Sequence, residues 1–574
     1  MAKQSNQRPS YKTSYRGFEG VNLRKTHSGD ESITLIENFR ITDDKSLKKR
    51  CGFTKSCEAA LPISTFFRTV IDGYETYYLL CQNLILMYTP HNDTITPIFS
   101  LNHFTSAYFF EYLGSIYLCT DQKIYEITSN DRVVEFKPYI PLYGKDWPSS
   151  TPGEINEPIN ILSDKVIISY KFVTPSHGYL SIGDLNFSSI DAIYRNGELL
   201  STDAYYYDEE YNLIALLEHE DNDEFIAIIS IRPDQATLTE REEVLKTKAS
   251  SVFYELNNHS LLLWGNPSNN KIYYSKTVDS TTYDLVLKVA PNTSALYIPT
   301  NSFFTVDKHS DRVNSIIRHY DRVLIMTESS TWMTDLTQLG QKDFQLKSIN
   351  AALGCSKLGG TVRINNNIIS LGENAAFCWT SNTDELNECN AYSISENIQE
   401  LLPTDFFKNC IITLNHQDSE IWFHNPNEEY TWIYNTKQNA WYKYRGFLAD
   451  IFLESTKYVI FSKGKEIFRF DKSFQKDYLS TIDATFKSGD LEFNTLKYKK
   501  FNLIVLRGEF TSGKLSLTLT LDHNKTLTKE IELPKEHSIL AFRIRTGSFK
   551  TISVELSASG EGNQILHSME LYAN

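Results

Sequence analysis

This sequence holds residues able to do chemistry, but not in arrangements that chemistry requires. Its thirteen histidines are scattered. His567 and Glu570 lie three apart in an alternating apolar run, a spacing that sends their side chains to opposite faces of a strand. Metal ligands must converge on one point, so a structural role is expected there. Asp221, Asp223 and Glu224 form an acidic turn that lacks the glycine and trailing glutamate of a calcium loop, and it reads as a solvated loop. The cysteines (Cys51, Cys57, Cys81, Cys119, Cys355, Cys378, Cys389 and Cys410) include no CxxC and read as free buried thiols of a reducing compartment. HExxH, GxSxG, a P-loop and a GxGxxG ahead of a helix are all missing. The expectation is a protein that is not an enzyme and uses no cofactor or metal. A propeller glycosidase would need two carboxylates about 5–9.5 Å apart, and no pair in the sequence stands out for that task.

Two side-chain clusters fit binding better than catalysis. ENFRITDDKSLKKRCGF (37–53) reads as a β-hairpin carrying Lys48, Lys49 and Arg50, a basic feature in a chain of net charge -14. Those three cations are candidates for docking, against the alternative of a solvated basic turn. Tyr205, Tyr206, Tyr207 and Tyr211 form an aromatic cluster. Alternate residues of a strand face opposite sides, so some of these rings are expected at the surface, as a protein interface or a sugar-stacking face, while core packing accounts for the others.

The elements that position these residues are strands. Aromatic residues make up 13% of the chain, with many Ile, Val and Thr, and that composition favours sheet over helix. At 574 residues the chain is too long for one ordinary core. From about residue 62 a unit of strand, tight polar turn, strand recurs, as in YETYYLLCQNLILMYTP (74–90), SIIRHYDRVLIMTESSTWMTDL (315–336) and ITLNHQDSEIWFHNPNEEYTWIYN (412–435). Its length of roughly 40–50 residues is that of a four-stranded propeller blade. KPYIPLYGKDWPSSTPGEINEP (137–158) breaks the rhythm with five prolines. The strand-rich block after it contains IYRNGELL, whose Asn196-Gly197 marks a hairpin turn. ATLTEREEVLKTKAS (236–250) is the one helical stretch, and after about residue 475 longer, strictly alternating strands read as a sandwich.

The predicted fold is therefore all-β: a β-propeller of about six to eight blades with an inserted β-sandwich and a C-terminal, jelly-roll-like β-sandwich. The expected divisions are an N-terminal arm and hairpin (1–55), a first propeller segment (56–145), the inserted sandwich (146–245), a second propeller segment (246–475) and the C-terminal sandwich (476–574). Residues 1–20 read as an arm that orders on docking. The polar, basic start shows no secretory leader, and no apolar run approaches the roughly 18–20 residues that span a bilayer. The acidic balance argues against a grip on nucleic acid.

Several stretches, in order, resemble the nozzle proteins of tailed bacteriophages, the tail tubular protein B type. They are Gly17 to Leu23 (GFEGVNL), ENFRI (37–41), LKKRCGF (47–53), LLLWGNPSNNKIYYSKTVD (261–279), ALGCSKLGGTVRINNNIISLGENAAFCW (352–379) and YTWIYNTKQNAWYKY (430–444). The resemblance covers nearly the whole chain. It implies a virion structural protein, assembled in the host cytoplasm, that forms a ring, usually a homo-hexamer. Such a ring lies below the portal-adaptor (head-tail connector) ring, contacts tail fibres or other tail proteins, and gates and conducts genomic DNA through its lumen during ejection without specific binding. Lys48, Lys49 and Arg50 would then dock on a neighbouring subunit or the adaptor. The other reading is a receptor- or carbohydrate-binding tail or baseplate protein without enzymatic activity, with the tyrosine cluster as its site.

Overall fold

The computed structural model describes residues 10–23, 32–128, 130–144, 157–163, 167–173, 178–181, 186–220, 223–255, 258–276, 296–306, 311–336, 345–380, 390–533 and 536–574. Asp221 and Cys389 lie outside them. The fold is all-β, of the propeller type with two sandwiches. The chain divides into two compact units, Met1–Pro97 with Gly354–Asn574, and Ile98–Leu353.

The first unit holds four propeller-type sheets of four antiparallel strands. One begins Thr65–Ile71, Tyr74–Cys81, Leu84–Thr89 and ends in Thr94–Ser100; the others run through Thr361–Ile364 to Ala391–Ser393 and Ile411–Asn415 to Ala440–Arg445. The fourth comprises Ile451–Leu453, Val459–Lys463 and Glu466–Phe470, and its last strand, Phe53–Glu58, comes from the other end of the chain. The central strands are buried on both faces, so they read as continuous apolar runs: Glu420–His424 is buried at every position. The tight turns put residues at positive φ; Leu113 (φ 49) and Gly114 (φ 81) do so in the second unit, the signature of a type I′ hairpin.

The C-terminal sandwich alternates instead. Ile552–Ser559 and Lys499–Phe510 bury every second residue for most of their length, because only one face meets the core. One of its sheets runs Phe39–Ile41, Leu47–Lys49, Gln564–Ala573, Lys499–Phe510, His537–Arg543, with Tyr11–Tyr15 also paired to Gln564–Ala573. The other runs Ile33–Glu37, Ala484–Ser488, Ile552–Ser559, Gly513–Leu521, Lys525–Leu533, and joins Ala440–Arg445 of a propeller-type sheet through Ile33–Glu37. The expected boundary between an N-terminal arm (1–55) and a C-terminal sandwich (476–574) is thus no boundary here. The strands from Tyr11 to Lys49 belong to that sandwich, because Tyr15, Phe18, Ile36, Phe39 and Leu47 bury their side chains in its core.

In the second unit, three further four-stranded sheets span Ala107–Tyr112 to Val133–Glu135, Ala249–Glu255 to Phe303–Thr305, and Val313–His319 to Lys347–Asn350. Between the first two, along the chain, comes the inserted sandwich. Its larger sheet contains Ile167–Val173, Glu224–Ile231 and Phe187–Arg195. The smaller orders Tyr179–Ser181, Leu213–Leu216, Tyr205–Asp208. Leu180, Ile193, Ile214, Phe225 and Ile229 form its core. The helix Gln235–Leu245 follows, capped by Asp234, whose carboxylate accepts from the Thr237 backbone N–H at 2.7 Å.

Candidate functional site

The strongest concentration of polar side chains lies in the first unit, where the hairpin Phe39–Lys49 meets the blade strands and the segment after Phe470. The hairpin pairs Phe39 with Lys49, Arg40 with Lys48 and Ile41 with Leu47. Asn38 precedes it at φ 56, a left-handed conformation that asparagine tolerates. Its side chain is a hub: Oδ1 accepts from Arg50 Nε at 2.9 Å and from the Arg445 backbone N–H at 2.8 Å, and Nδ2 donates to the Asp483 carbonyl at 2.8 Å.

Arg50 is 1% exposed and uses all five of its N–H donors. Besides Asn38, it donates from Nη1 to Asp477 Oδ1 (2.7 Å) and the Cys51 carbonyl (3.0 Å), and from Nη2 to Asp477 Oδ2 (2.6 Å) and the Arg445 carbonyl (2.7 Å). The Tyr444 and Phe470 rings lie 5.7 and 5.8 Å away. Lys49 is also buried and donates to the Gly560 carbonyl at 2.5 Å; burial, with Arg50 beside it, pushes its pKa down to about 8. Only Lys48 of the three cations stays half-exposed. Lys49 and Arg50 are thus neither a solvent-facing basic turn nor a surface for docking: the strand alternation turns Lys49 inward, and Arg50 finds a carboxylate 427 residues away.

Beside this pair, Arg40 contacts Asp418 at 2.6 Å and Glu420 at 4.0 Å. A cavity of about 220 Å³ is lined by Arg40, Arg50, Asp418, Glu420, Trp422 and Tyr444, among others. Burial pushes the Glu420 carboxyl upward. Burial also opposes the charge on Asp418, but Arg40 and Lys472 outweigh it and hold that carboxyl low. Two carboxyls pushed apart in this way resemble an acid–base pair. The hydrogen bonds speak against it. Glu420 Oε1 accepts from Tyr442 Oη (2.7 Å) and Tyr444 Oη (3.5 Å), and Oε2 from Trp422 Nε1 (2.9 Å) and Asn415 Nδ2 (3.1 Å). A carboxylate whose two oxygens are filled by four donors has no position left from which to protonate a substrate. The cluster is built to hold elements together. No grouping of three or more potential metal ligands occurs among the described residues.

The opening and closing motifs of the sequence meet here. Gly20 sits at φ +89, where a Cβ would lie 2.8 Å from the Trp441 backbone nitrogen, so the position requires glycine. Val21 N–H donates to the Trp441 carbonyl, Asn38 N–H to the Lys443 carbonyl, and Asn435 Nδ2 to the Ile41 carbonyl. Sequence reasoning missed Asn38, Glu420 and Asp477. An asparagine between two short strands was the only available signal for the first, and none existed for the other two.

The second candidate, in the inserted sandwich, divides as strand alternation requires. Tyr205 and Tyr207 pack inward against the core; Tyr207 Oη donates to Asn212 Oδ1, and its ring lies 4.1 Å from that of Phe187. Tyr206 and Tyr211 face solvent, 55% and 67% exposed. The acidic turn is only partly solvated: Asp223 is buried and accepts from Arg195 Nε, Asn196 Nδ2 and the Glu220 N–H, each at 2.7 Å. It thereby anchors the Asn196-Gly197 hairpin that the sequence predicted.

No family model and no curated protein matches the chain. Among solved structures, the AfRom2 CNH domain matches at 8% identity, with 73% of this chain and 99% of that one covered and a TM-score of 0.36. The computationally designed Ika8 protein matches at 6% identity (73% and 100% covered, TM-score 0.33), and the extracellular domain of a putative one-component system from B. thetaiotaomicron at 11% (92% and 80% covered, TM-score 0.27). Similarities this low carry no argument about function.

Proposed function

We propose that the chain is a structural protein of a phage tail, a ring-forming nozzle or tail-tube component that extends the portal-adaptor channel and conducts DNA. The observation that supports this reading is the convergence of four of the six stretches that carry the resemblance. GFEGVNL, ENFRI and LKKRCGF lie some 400 residues before YTWIYNTKQNAWYKY, yet the first three bond directly to the last or to its edge at Arg445. In this reading the chain catalyses nothing; its task is to keep its form while DNA passes, and an interlocked, charge-paired junction serves that task. Its net negative charge disfavours adhesion of phosphate.

Light scattering and negative-stain microscopy of the purified protein test the reading. A closed ring of about six chains with a central hole is the expected result. A monomer at every accessible concentration counts against a ring-former and moves weight to the receptor- or carbohydrate-binding alternative, for which the exposed Tyr206 and Tyr211 speak.

A further inference from the structure

The smaller sheet of the inserted sandwich has an outer face of unusual composition. Its register places Tyr179, Ala215 and Tyr206 in one row across three strands. Leu180, Ile214, Leu216, Tyr205 and Tyr207 turn to the core, so the row faces outward. Tyr179 is 45% exposed and Tyr206 is 55% exposed. With neighbouring strands about 4.8 Å apart, the two tyrosine backbones stand roughly 10 Å from each other over the small Ala215. The exposed Leu217 follows Leu216 on the middle strand. At the rim, Asp208 Oδ1 accepts from the backbone N–H groups of Glu210 and Tyr211, fixing the turn that presents Glu209, Glu210 and Tyr211.

The segment that forms most of this face carries carboxylates and no lysine or arginine, and Arg195, beside Glu220, is committed to Asp223. Residues 200–220 contain Asp203, Asp208, Glu209, Glu210, Glu218 and Glu220, and no lysine or arginine; the strand Tyr179–Ser181 adds no cation. All but Asp208 of these carboxylates are exposed.

We propose that this face docks an arginine-rich segment of a partner protein. A guanidinium stacks on aromatic rings through its flat face and bonds carboxylates through its edge, so a tyrosine row rimmed by acids satisfies both of its surfaces. Nucleic acid and anionic glycans would be repelled. A neutral saccharide would use the rings and gain little from so many uncompensated charges. The face exists whether or not the chain forms a ring, so its test stands apart from the test of the nozzle reading.

The test is fluorescence anisotropy on the full chain with a labelled peptide of alternating arginine and glycine. The double variant Tyr179→Ala/Tyr206→Ala keeps the charge of the protein. It is expected to bind at least about fivefold more weakly, the loss of two cation–π contacts, while Tyr498→Ala, which removes an exposed tyrosine in the other unit, binds as the wild type does. Glu209→Gln/Glu210→Gln leaves the sheet untouched and is expected to weaken binding and flatten its salt dependence. Equal binding by wild type and the tyrosine double variant, with thermal melting showing both folded, overturns the proposal, since attraction to the peptide would then be general. Tyrosine-dependent binding of an uncharged oligosaccharide, with no tyrosine-dependent binding of the peptide, overturns it in favour of a glycan site.

Discussion

Two arginine–aspartate pairs invite comparison. Arg50 and Asp477 are 427 residues apart, both almost fully buried, and joined by two parallel hydrogen bonds. Arg195 and Asp223 are 28 residues apart, and Arg195 stays partly exposed and offers only Nε. The first pair ties the beginning of the chain to its last quarter, inside a network in which no donor of the arginine is idle. The second pins a local hairpin at the rim of a small sandwich. The same two residue types thus hold the fold together in one place and trim a turn in the other. The difference lies in desolvation of the arginine: Arg50 has no water and depends on its partners, whereas Arg195 keeps some, and the buried Asp223 is also held by Asn196 Nδ2 and the Glu220 N–H.

Arg50→Met should have the largest effect, because it leaves Asp477 buried without its counter-charge. A loss of about 3–5 kcal/mol in a denaturant titration is expected. The double variant with Asp477→Leu should lose less than the two single variants added together. Next comes an acid limb. His424 is fully buried; it accepts from the Ala449 N–H at Nε2, so Nδ1 carries the proton toward Thr431 Oγ1, and burial pushes its pKa from 6.5 down to about 4. Between those values the unfolded chain binds a proton that the folded chain refuses. This contribution is therefore whole above pH 6.5 and is lost as pH falls to about 4, by about 3 kcal/mol; thermal melts across that window should show it, and His424→Gln should flatten it.

Gly52→Ala should cost about 1–3 kcal/mol, since its Cβ would lie 1.8 Å from the Lys476 carbonyl oxygen and the backbone would have to move. Asp223→Asn should cost about 1 kcal/mol, with faster hydrogen exchange confined to residues 187–231. That confinement is what separates the two pairs; exchange spreading beyond the sandwich would erase the distinction. Lys49→Met should be the mildest, neutral or stabilising by up to about 1 kcal/mol at pH 7. Its folded pKa of about 8 lies below the ordinary 10.5, so the unfolded chain binds more protons between them. Stability should rise with pH in that window for the wild type and stay flatter in the variant.

Strand alternation, turn residues and the helix near 236–250 were legible because they are local. The predicted hairpin is present at Phe39–Lys49, and the helix spans Gln235–Leu245. Lys49 and Arg50, expected to dock on a partner or to lie in a solvated turn, do neither for a physical reason: three adjacent cations look free until a carboxylate beyond residue 470 is folded against one of them. The tyrosine cluster was half legible. Alternation sorts Tyr205 and Tyr207 from Tyr206, but Tyr179, the other exposed ring of that row, belongs to a different strand and enters only through sheet register. That the N-terminal arm and hairpin (1–55) share a sandwich with the C-terminal strands was not legible, because short strands of three to five residues reveal their partners only in three dimensions.

The strand Phe53–Glu58 completes a sheet whose other members begin at Ile451. On a ribosome making roughly 5–20 residues per second, it emerges tens of seconds before the edge it must cover. Until then it has no partner, and once Glu466–Phe470 emerges that strand's open hydrogen bonds are a template for any neighbouring chain. Folding of this unit therefore cannot finish vectorially; it waits for the last residues and then closes from both ends. Slow maturation and a demand for chaperone protection during synthesis follow from the origin of that one strand.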